Sequence, residues 1–506
     1  MKVFRRVVQL TLCSAAALAA LPAAAQDSDH VNDQIRQLQK QIEQQQRQIN
    51  RQQEQLRGLV KRAEAKPAAP AAAASAPGSG KVLAIPALQG PTLTMSKNNR
   101  PRFSSADGQN YIELTSIFNF DVGGYNYRPA SSATRVQDLH NGVNARRARI
   151  GVAGQFLGDW KYDFQYDLAN FDDGLTGTGS IKSGIRSAFI SYTGLGAAKF
   201  DLGYLNVPFT LDQATANVDY MFMEHSIPHL LAIALTGGDS RSAIGARAND
   251  DRYWIGGYLT GPKAGASHTT NEQTGGTLRA TYQLIKSDEG SFHIGANLAH
   301  LFSATGPQNW TVQPELAIDP TAAYGMTIGT PLNPLRHADV YGVETAGGWR
   351  SLFFQGEYFW YSFDREGLQT ANFQGGYIQG SWTLTGEHRK YNPLLGAYGR
   401  IYPDRPFSLA TGGTGAFEVT GRVSFMDMNS NFLAGQVNTP SAVNGGKATT
   451  YTAGLNWYPN NNLMFRVNYL HGGWMDEFSN IMGPPQLQQN AGASFDAVAA
   501  RAQLTF

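Results

Sequence analysis

Eight cationic side chains carry the chemistry this sequence offers. Arg147, Arg149, Lys161, Arg389, Arg422, Arg466 and Arg501 each fall opposite the apolar residues of an alternating segment, and Arg146 sits one position out of phase beside them. If the alternation marks two-faced membrane strands, the in-phase seven point away from lipid into an aqueous lumen. A guanidinium presents fixed planar donors that match phosphate and carboxylate oxygens, so a wall of them attracts anions. The alternative at each position is pairing with an acid of the same face, and Glu113, Asp121, Asp163, Asp167, Glu357, Glu387 and Glu418 are available. Arg146-Arg147-Ala148-Arg149 is the densest cluster; by parity Arg146 is expected at the rim.

Other chemistry is weakly represented. The chain has no GxSxG, HExxH, Walker A or CxxC motif. Glu224-His225 and His229 place two histidines four apart, but Pro228 between them disfavours a regular helix, and the expectation is a polar loop without metal. Glu387-His388 has no nucleophile placed beside it. No catalytic residue and no cofactor is expected. The formal net charge of +2 is a split: residues 1–99 hold 13 basic and 6 acidic residues, and the remaining 28 and 33 leave the body at −5. A nucleic-acid partner, which would need clustered basic surface, is not supported.

The elements that must position these side chains are strands. Among 506 residues there are 55 Gly, 22 Tyr and 26 Phe, a β-rich composition. Mean hydropathy is −0.31, and outside the N-terminal leader no apolar run reaches the ~18 residues of a membrane helix. From Gln109 a period of two persists to the end. Ile112, Leu114, Phe118, Phe120 and Val122 alternate with Glu113, Thr115, Asn119 and Asp121; Trp160, Tyr162, Phe164 and Tyr166 alternate with Lys161, Asp163, Gln165 and Asp167. Soluble sandwiches alternate too, but their strands usually run about five or six residues, whereas these run about ten or more. Trp160, Tyr204, Trp360 and Trp457 sit near segment ends as interfacial girdles do, short turns alternate with long polar loops, and Phe506 closes an alternating segment. The expected fold is all-β, a 16-stranded antiparallel transmembrane barrel over 108–506. Those 399 residues at roughly 25 per strand and connection give that number, a size that leaves an aqueous channel.

Ahead of the barrel, residues 1–25 read as a signal peptide: Lys2, Arg5 and Arg6, an apolar stretch from Val7 to Leu21, and Ala23-Ala24-Ala25 before Gln26. The sole cysteine, Cys13, lies within it. Residues 26–65 carry Val31, Ile35, Leu38, Ile42, Gln45, Ile49, Gln52, Leu56 and Leu59 at 4,3 spacing, the stripe of a left-handed coiled coil that needs partner chains and favours a trimer. Residues 66–107 form an Ala/Pro/Gly-rich linker and lead-in. The expected setting is the Gram-negative outer membrane with the coiled coil in the periplasm. Its expected partners are outer-membrane lipid, two further copies of the chain, small anionic solutes and, through the coiled coil, peptidoglycan. The segment from Leu205 to His225 is too long for a hairpin turn and folds either inward as a constriction or outward.

Several blocks resemble the phosphate-selective porin O and P family. They are Arg146-Arg147-Ala148-Arg149-Ile150 leading to Asp159-Trp160-Lys161-Tyr162, Gly203-Tyr204 through Pro208-Phe209 to Phe222-Met223-Glu224, and Leu384-Thr385-Gly386-Glu387-His388-Arg389-Lys390-Tyr391. Leu455-Asn456-Trp457-Tyr458-Pro459-Asn460 and Arg501-Ala502-Gln503-Leu504-Thr505-Phe506 complete the set. The resemblance implies a trimer of 16-stranded barrels that passes anions along arginine and lysine on an inward-folded path. Arg146, Arg147 and Arg149 look like the family's arginine-bearing second strand. The chain departs from the family at Glu224-His225, where Glu-Arg is common.

Overall fold

The computed structural model describes residues 90–506 apart from 97–98, 130–138, 170–183, 238–239, 263–272, 305–308, 313–314, 317, 319–327, 333, 432–440 and 476–491. The signal peptide, the coiled coil and the linker up to residue 89 lie outside the described residues.

The described chain opens with a hairpin of β1 (Thr92–Met95) and β2 (Pro101–Ser104). Next come β3 (Tyr111–Arg128), β4 (Gly142–Phe156), β5 (Trp160–Asp167), β6 (Gly184–Leu195) and β7 (Ala198–Leu205). Two short helices, α1 (Leu211–Ala214) and α2 (Ile227–Ala232), precede a π turn at Ile233–Gly237. The chain continues with β8 (Arg241–Asn249), β9 (Tyr253–Thr260), β10 (Thr274–Lys286), β11 (Gly290–Ser303), β12 (Asn309–Val312) and β13 (Ile328–Pro331). Then follow β14 (Leu335–Trp349), β15 (Leu352–Arg365), β16 (Ala371–Thr383), β17 (Tyr391–Asn392) and β18 (Ala397–Tyr398). The last four are β19 (Ala416–Ser430), β20 (Val443–Tyr458), β21 (Leu463–Met475) and β22 (Ser494–Thr505).

Sixteen of these close a barrel. Each of β3–β11, β14–β16 and β19–β22 pairs antiparallel with the next, and β22 returns to β3 from Ser494↔Arg128 to Thr505↔Ile117. Closure removes the unpaired edges that an open sheet would present. β12 with β13 and β17 with β18 form separate two-stranded pairs. The lead-in is not a plain tether: β2 pairs with β3 at Arg102↔Glu113, extending the sheet where β22 has ended, and Ser116 N donates to the Phe506 carbonyl at 2.7 Å.

The outer face follows the alternation. Ile112, Leu114, Phe118, Phe120 and Val122 of β3 and Val419, Val423 and Phe425 of β19 are exposed to the surroundings that lipid would fill. Aromatic contacts gather at the short-turn end: Trp160 stacks on Phe156 with Tyr192 beside it, and Trp457 meets Phe407, Phe417 and Phe465. Leu157 and Gly158 take positive φ of 53° and 76°, the twist that a tight hairpin between right-twisted strands needs.

The inside departs from the expected open lumen. A buried apolar cluster joins Leu205 at the end of β7 and Phe209, Met223, Ile227, Leu231 and Leu235 of the long β7–β8 connection to Phe359, Tyr361, Phe363, Phe373, Met426 and Met428 of the wall. The connection therefore folds inward, and water exclusion holds it there. Each such large side chain contributes about 1.5–3 kcal/mol when taken fully out of water. The alternation in β15 hides this arrangement, because Phe353, Phe359, Tyr361 and Phe363 point inward while Phe354 and Trp360 point out.

Candidate functional site

The inward connection begins with Thr210, whose Oγ1 accepts from Gln213 N at 3.0 Å and starts α1. The free N–H groups of Leu211 and Asp212 donate to the Glu357 carboxylate at 2.8 and 3.0 Å. A wall carboxylate thus supplies what the first helical turn lacks. Pro228 falls in the first turn of α2, where its missing N–H costs nothing, and Ile227 N donates to Glu315 at 3.0 Å.

Between the helices the backbone is held, carbonyl by carbonyl, by side chains of the wall and by Arg389 of the β16–β19 connection. Val218 O accepts from Gln503 at 3.0 Å, Asp219 O from Arg389 at 2.9 Å and Tyr220 O from Arg466. Met221 O accepts from Asn456 at 3.0 Å and Phe222 O from Arg466 at 2.7 Å. Met223 O accepts from Arg501 at 2.5 Å and Glu224 O from Arg422 at 3.0 Å. The Met223 N–H in turn donates to Asn468 at 2.9 Å. Gly454 makes room for that asparagine, since a Cβ there would lie 2.4 Å from Asn468 Nδ2. A segment without regular secondary structure thereby satisfies its buried backbone.

Glu224 is the hub of this contact. Its carboxylate accepts from Arg146 at 2.9 Å through both Nε and Nη2, from Arg147 at 3.3 Å and from Arg501 at 2.7 Å. Burial opposes its ionisation, but Arg146, Arg147 and Arg501 outweigh that and hold the carboxyl well below the ordinary range. Asp219 goes the other way: burial raises its carboxyl, with only partial relief from Arg400 and Arg389.

Several sequence expectations are corrected here. Arg146 is not at the rim. The β3–β4 register slips between Asn119↔Arg147 and Phe120↔Ala145, so Arg146 is the extra residue of a bulge and turns inward with Arg147. Arg389 is not on a barrel strand; it lies in the connection between β16 and β19, bound to Glu418 at 2.8 and 2.9 Å. Lys161 sits exposed at the start of β5, apart from the others. His225 and His229 are not in a solvated polar loop. Both are buried, with Asp212 beside them, and burial lowers His229 to a pKa of about 3, a neutral imidazole. Among the described residues, these three form the one group whose donor atoms converge as metal ligands would.

Arg422, Arg466 and Arg501 are inward as expected, and so are Arg147 and Arg149, but most serve the protein's own groups. Arg422 is bound to Glu315, and Arg501 to Asp121 at 2.7 and 2.6 Å. A cavity of ≈ 390 Å³ runs between residues 205–218 and strands β4–β9, lined by Arg149, Arg186 and Arg247, by Arg100 from the lead-in, and by Asp163 and Asp201. Arg149 donates to Asp167 at 2.7 Å, Arg186 to Ser240 at 2.7 Å and Arg247 to Asp201 at 2.7 Å. Arg186 and Arg247 were missed by the sequence reading. Arg247 alternates with outward Ile244, but glycine and alanine between them blur the parity. Arg279, also missed, stands in plain alternation with Leu278 and Tyr282; it binds Glu344 and the carbonyls of Leu395 and Gly396, fixing the β17–β18 hairpin.

The family described as phosphate-selective porin O and P matches residues 112–506. Porin O of Pseudomonas aeruginosa is 23% identical over 383 residues, covering 70% of this chain and 82% of that protein. An uncharacterised Caulobacter vibrioides protein is 25% identical over 383 residues, covering 73% and 69%. Among solved structures, the anion-selective porin from Comamonas acidovorans is 13% identical with a TM-score of 0.47, covering 78% of this chain and 100% of that one. OmpT of Vibrio cholerae is 10% identical with a TM-score of 0.47, covering 79% and 98%. With a family match spanning the whole closed barrel and its inward connection, the chain belongs to the phosphate-selective porin O and P family and is an outer-membrane porin.

Proposed function

We propose that the protein is a passive diffusion channel for small anionic solutes, phosphate among them, working as a homotrimer. The observation that carries this reading is the cavity beside the inward connection, where four arginines face two carboxylates. Guanidinium groups at a low-dielectric constriction draw anions in, and their multiple partners let a solute pass from one to the next instead of being trapped. The heptads of residues 26–65 support three-fold association in the periplasm and an attachment toward peptidoglycan. A second reading is a general pore without anion preference. It is favoured by the extent to which Arg146, Arg147 and Arg501 are taken up by Glu224 and Asp121. Adding phosphate to chloride-conducting channels in a planar bilayer tests the first reading: chloride current should fall with phosphate concentration as the two compete for one arginine path. Current indifferent to phosphate supports the general pore, and a protein that forms no channels contradicts both.

A further inference from the structure

We propose that Asp212, His225 and His229 are the protein ligands of a divalent transition-metal site, zinc being the ion that fits best, inside the inward connection. The site does not depend on which solute the channel passes. Its three residues come from separate pieces of chain: Asp212 from the first turn of α1, His225 from the end of the clamped segment and His229 from α2. All three are buried, and their donor atoms lie within 4.8 Å of one another.

The local geometry brings a carboxylate oxygen and an imidazole nitrogen toward one point. His225 Nδ1 and Asp212 Oδ2 are 3.0 Å apart, and neither has another hydrogen-bond partner. Two donors held ~2.0–2.1 Å from one tetrahedral zinc ion stand about 3.3 Å apart. Bringing the third donor in from 4.8 Å takes a shift of roughly 1.5 Å on the same geometry, a side-chain adjustment. The far nitrogen of His225 is fixed by the Tyr220 hydroxyl at 2.7 Å, which leaves Nδ1 to face Asp212. His229 Nδ1 is held by Thr210 Oγ1 at 2.9 Å, so Nε2, 3.2 Å from Gln213 Oε1, is the nitrogen that would exchange that amide for the ion. Such outer partners fix ring orientation in metal sites.

The donor set selects the ion. Two imidazoles and one carboxylate suit zinc and its transition-metal neighbours, whereas magnesium and calcium require a shell of oxygens. Three protein ligands leave a fourth position for water. The adverse neighbour is Arg422, whose charge is engaged by Glu315. A bound ion would cross-link α1 to α2 at the base of the segment that the arginines clamp.

The test uses the full-length protein in detergent, stripped with chelator, dialysed against zinc, washed and analysed for metal. The expected result is about one zinc per protomer, retained against excess magnesium and absent from His225→Gln and Asp212→Asn. Folding of each variant is checked by its heat-modifiable migration, and cobalt substituted for zinc should give the visible absorption of a tetrahedral site. If the two ligand variants fail to fold, Thr210→Val keeps all three ligands and should weaken zinc affinity by ~10–100-fold. Wild-type protein that retains no zinc, that loses it to magnesium, or that binds no more tightly than these variants overturns the proposal.

Discussion

Replacing Glu224 by glutamine removes one negative charge from a contact with three guanidinium groups while keeping the side chain's size. Arg501 keeps Asp121, at 2.7 and 2.6 Å, so the loss falls mainly on Arg146 and Arg147. Their side chains are only 5% and 3% exposed, so solvent screens them little. Removing one member of a buried ion pair typically costs ~3–5 kcal/mol, because the partner charge stays behind. The amide retains some hydrogen bonding, so the lower figure applies. At about 1.4 kcal/mol per tenfold, ~3 kcal/mol raises the undocked population of the 211–226 segment by roughly 100-fold. Hydrogen exchange reads this directly, because the Met223 and Ile227 amides are bonded to Asn468 and Glu315 only while the segment is docked. Exchange at both should accelerate by about that factor in Glu224→Gln. The same channels should become noisier and more anion-preferring, since the Glu224 charge beside Arg146 and Arg147 is removed. Unchanged protection at Met223 and Ile227 would refute the reasoning that Glu224 anchors the segment.

Arg149→Gln combined with Arg186→Gln should shift the reversal potential toward zero in a salt gradient; an unmoved potential would mean that both side chains serve the protein's own groups, Asp167 and Ser240 among them. Leu231→Ala should weaken docking by ~2–5 kcal/mol, read as faster exchange at Ile227, while leaving the barrel's heat-modifiable migration intact; loss of the folded barrel would contradict the view that the wall stands without the plug. Asp219 carries the opposite sign to Glu224. Because burial raises its carboxyl above the ordinary 3.8, the docked state favours the protonated form, so its contribution is strongest at low pH and fades as pH rises through the raised value. Asp219→Asn mimics the protonated side chain and should leave the melting temperature at pH 7 equal or higher; a clear drop would show that Arg400 and Arg389 outweigh the cost of burying the charge.

The barrel was legible because lipid enforces a period of two with few exceptions: β3 alternates Ile112, Leu114, Phe118 with Glu113 and Thr115, and the lumen side followed by parity for Arg422, Arg466 and Arg501. Parity failed where the register slips. A bulge at Arg146 is invisible to a count of every second residue, and it moved that arginine from rim to centre. Arg389 failed for a related reason, since the alternation around it belongs to a connection that leaves the wall. The inward fold of residues 205–237 left its trace in β15, whose two apolar faces need a second partner besides lipid, but such a strand reads equally well as fully buried in any sheet. What the arginines do could not be read from parity at all. A guanidinium that faces the lumen can serve a solute or a carbonyl, and the choice at Arg466 is made by the backbone of Tyr220 and Phe222, more than two hundred residues away in sequence.

On the proposed function, the arginines beside the cavity set the charge preference of the pore while the others hold its constriction. The reversal potential of the wild-type channel in a potassium chloride gradient tests it most directly. The account predicts a potential of the sign set by chloride, larger in size than the small value of a non-selective pore. A potential of the sign set by potassium, or one at the non-selective value, would contradict it.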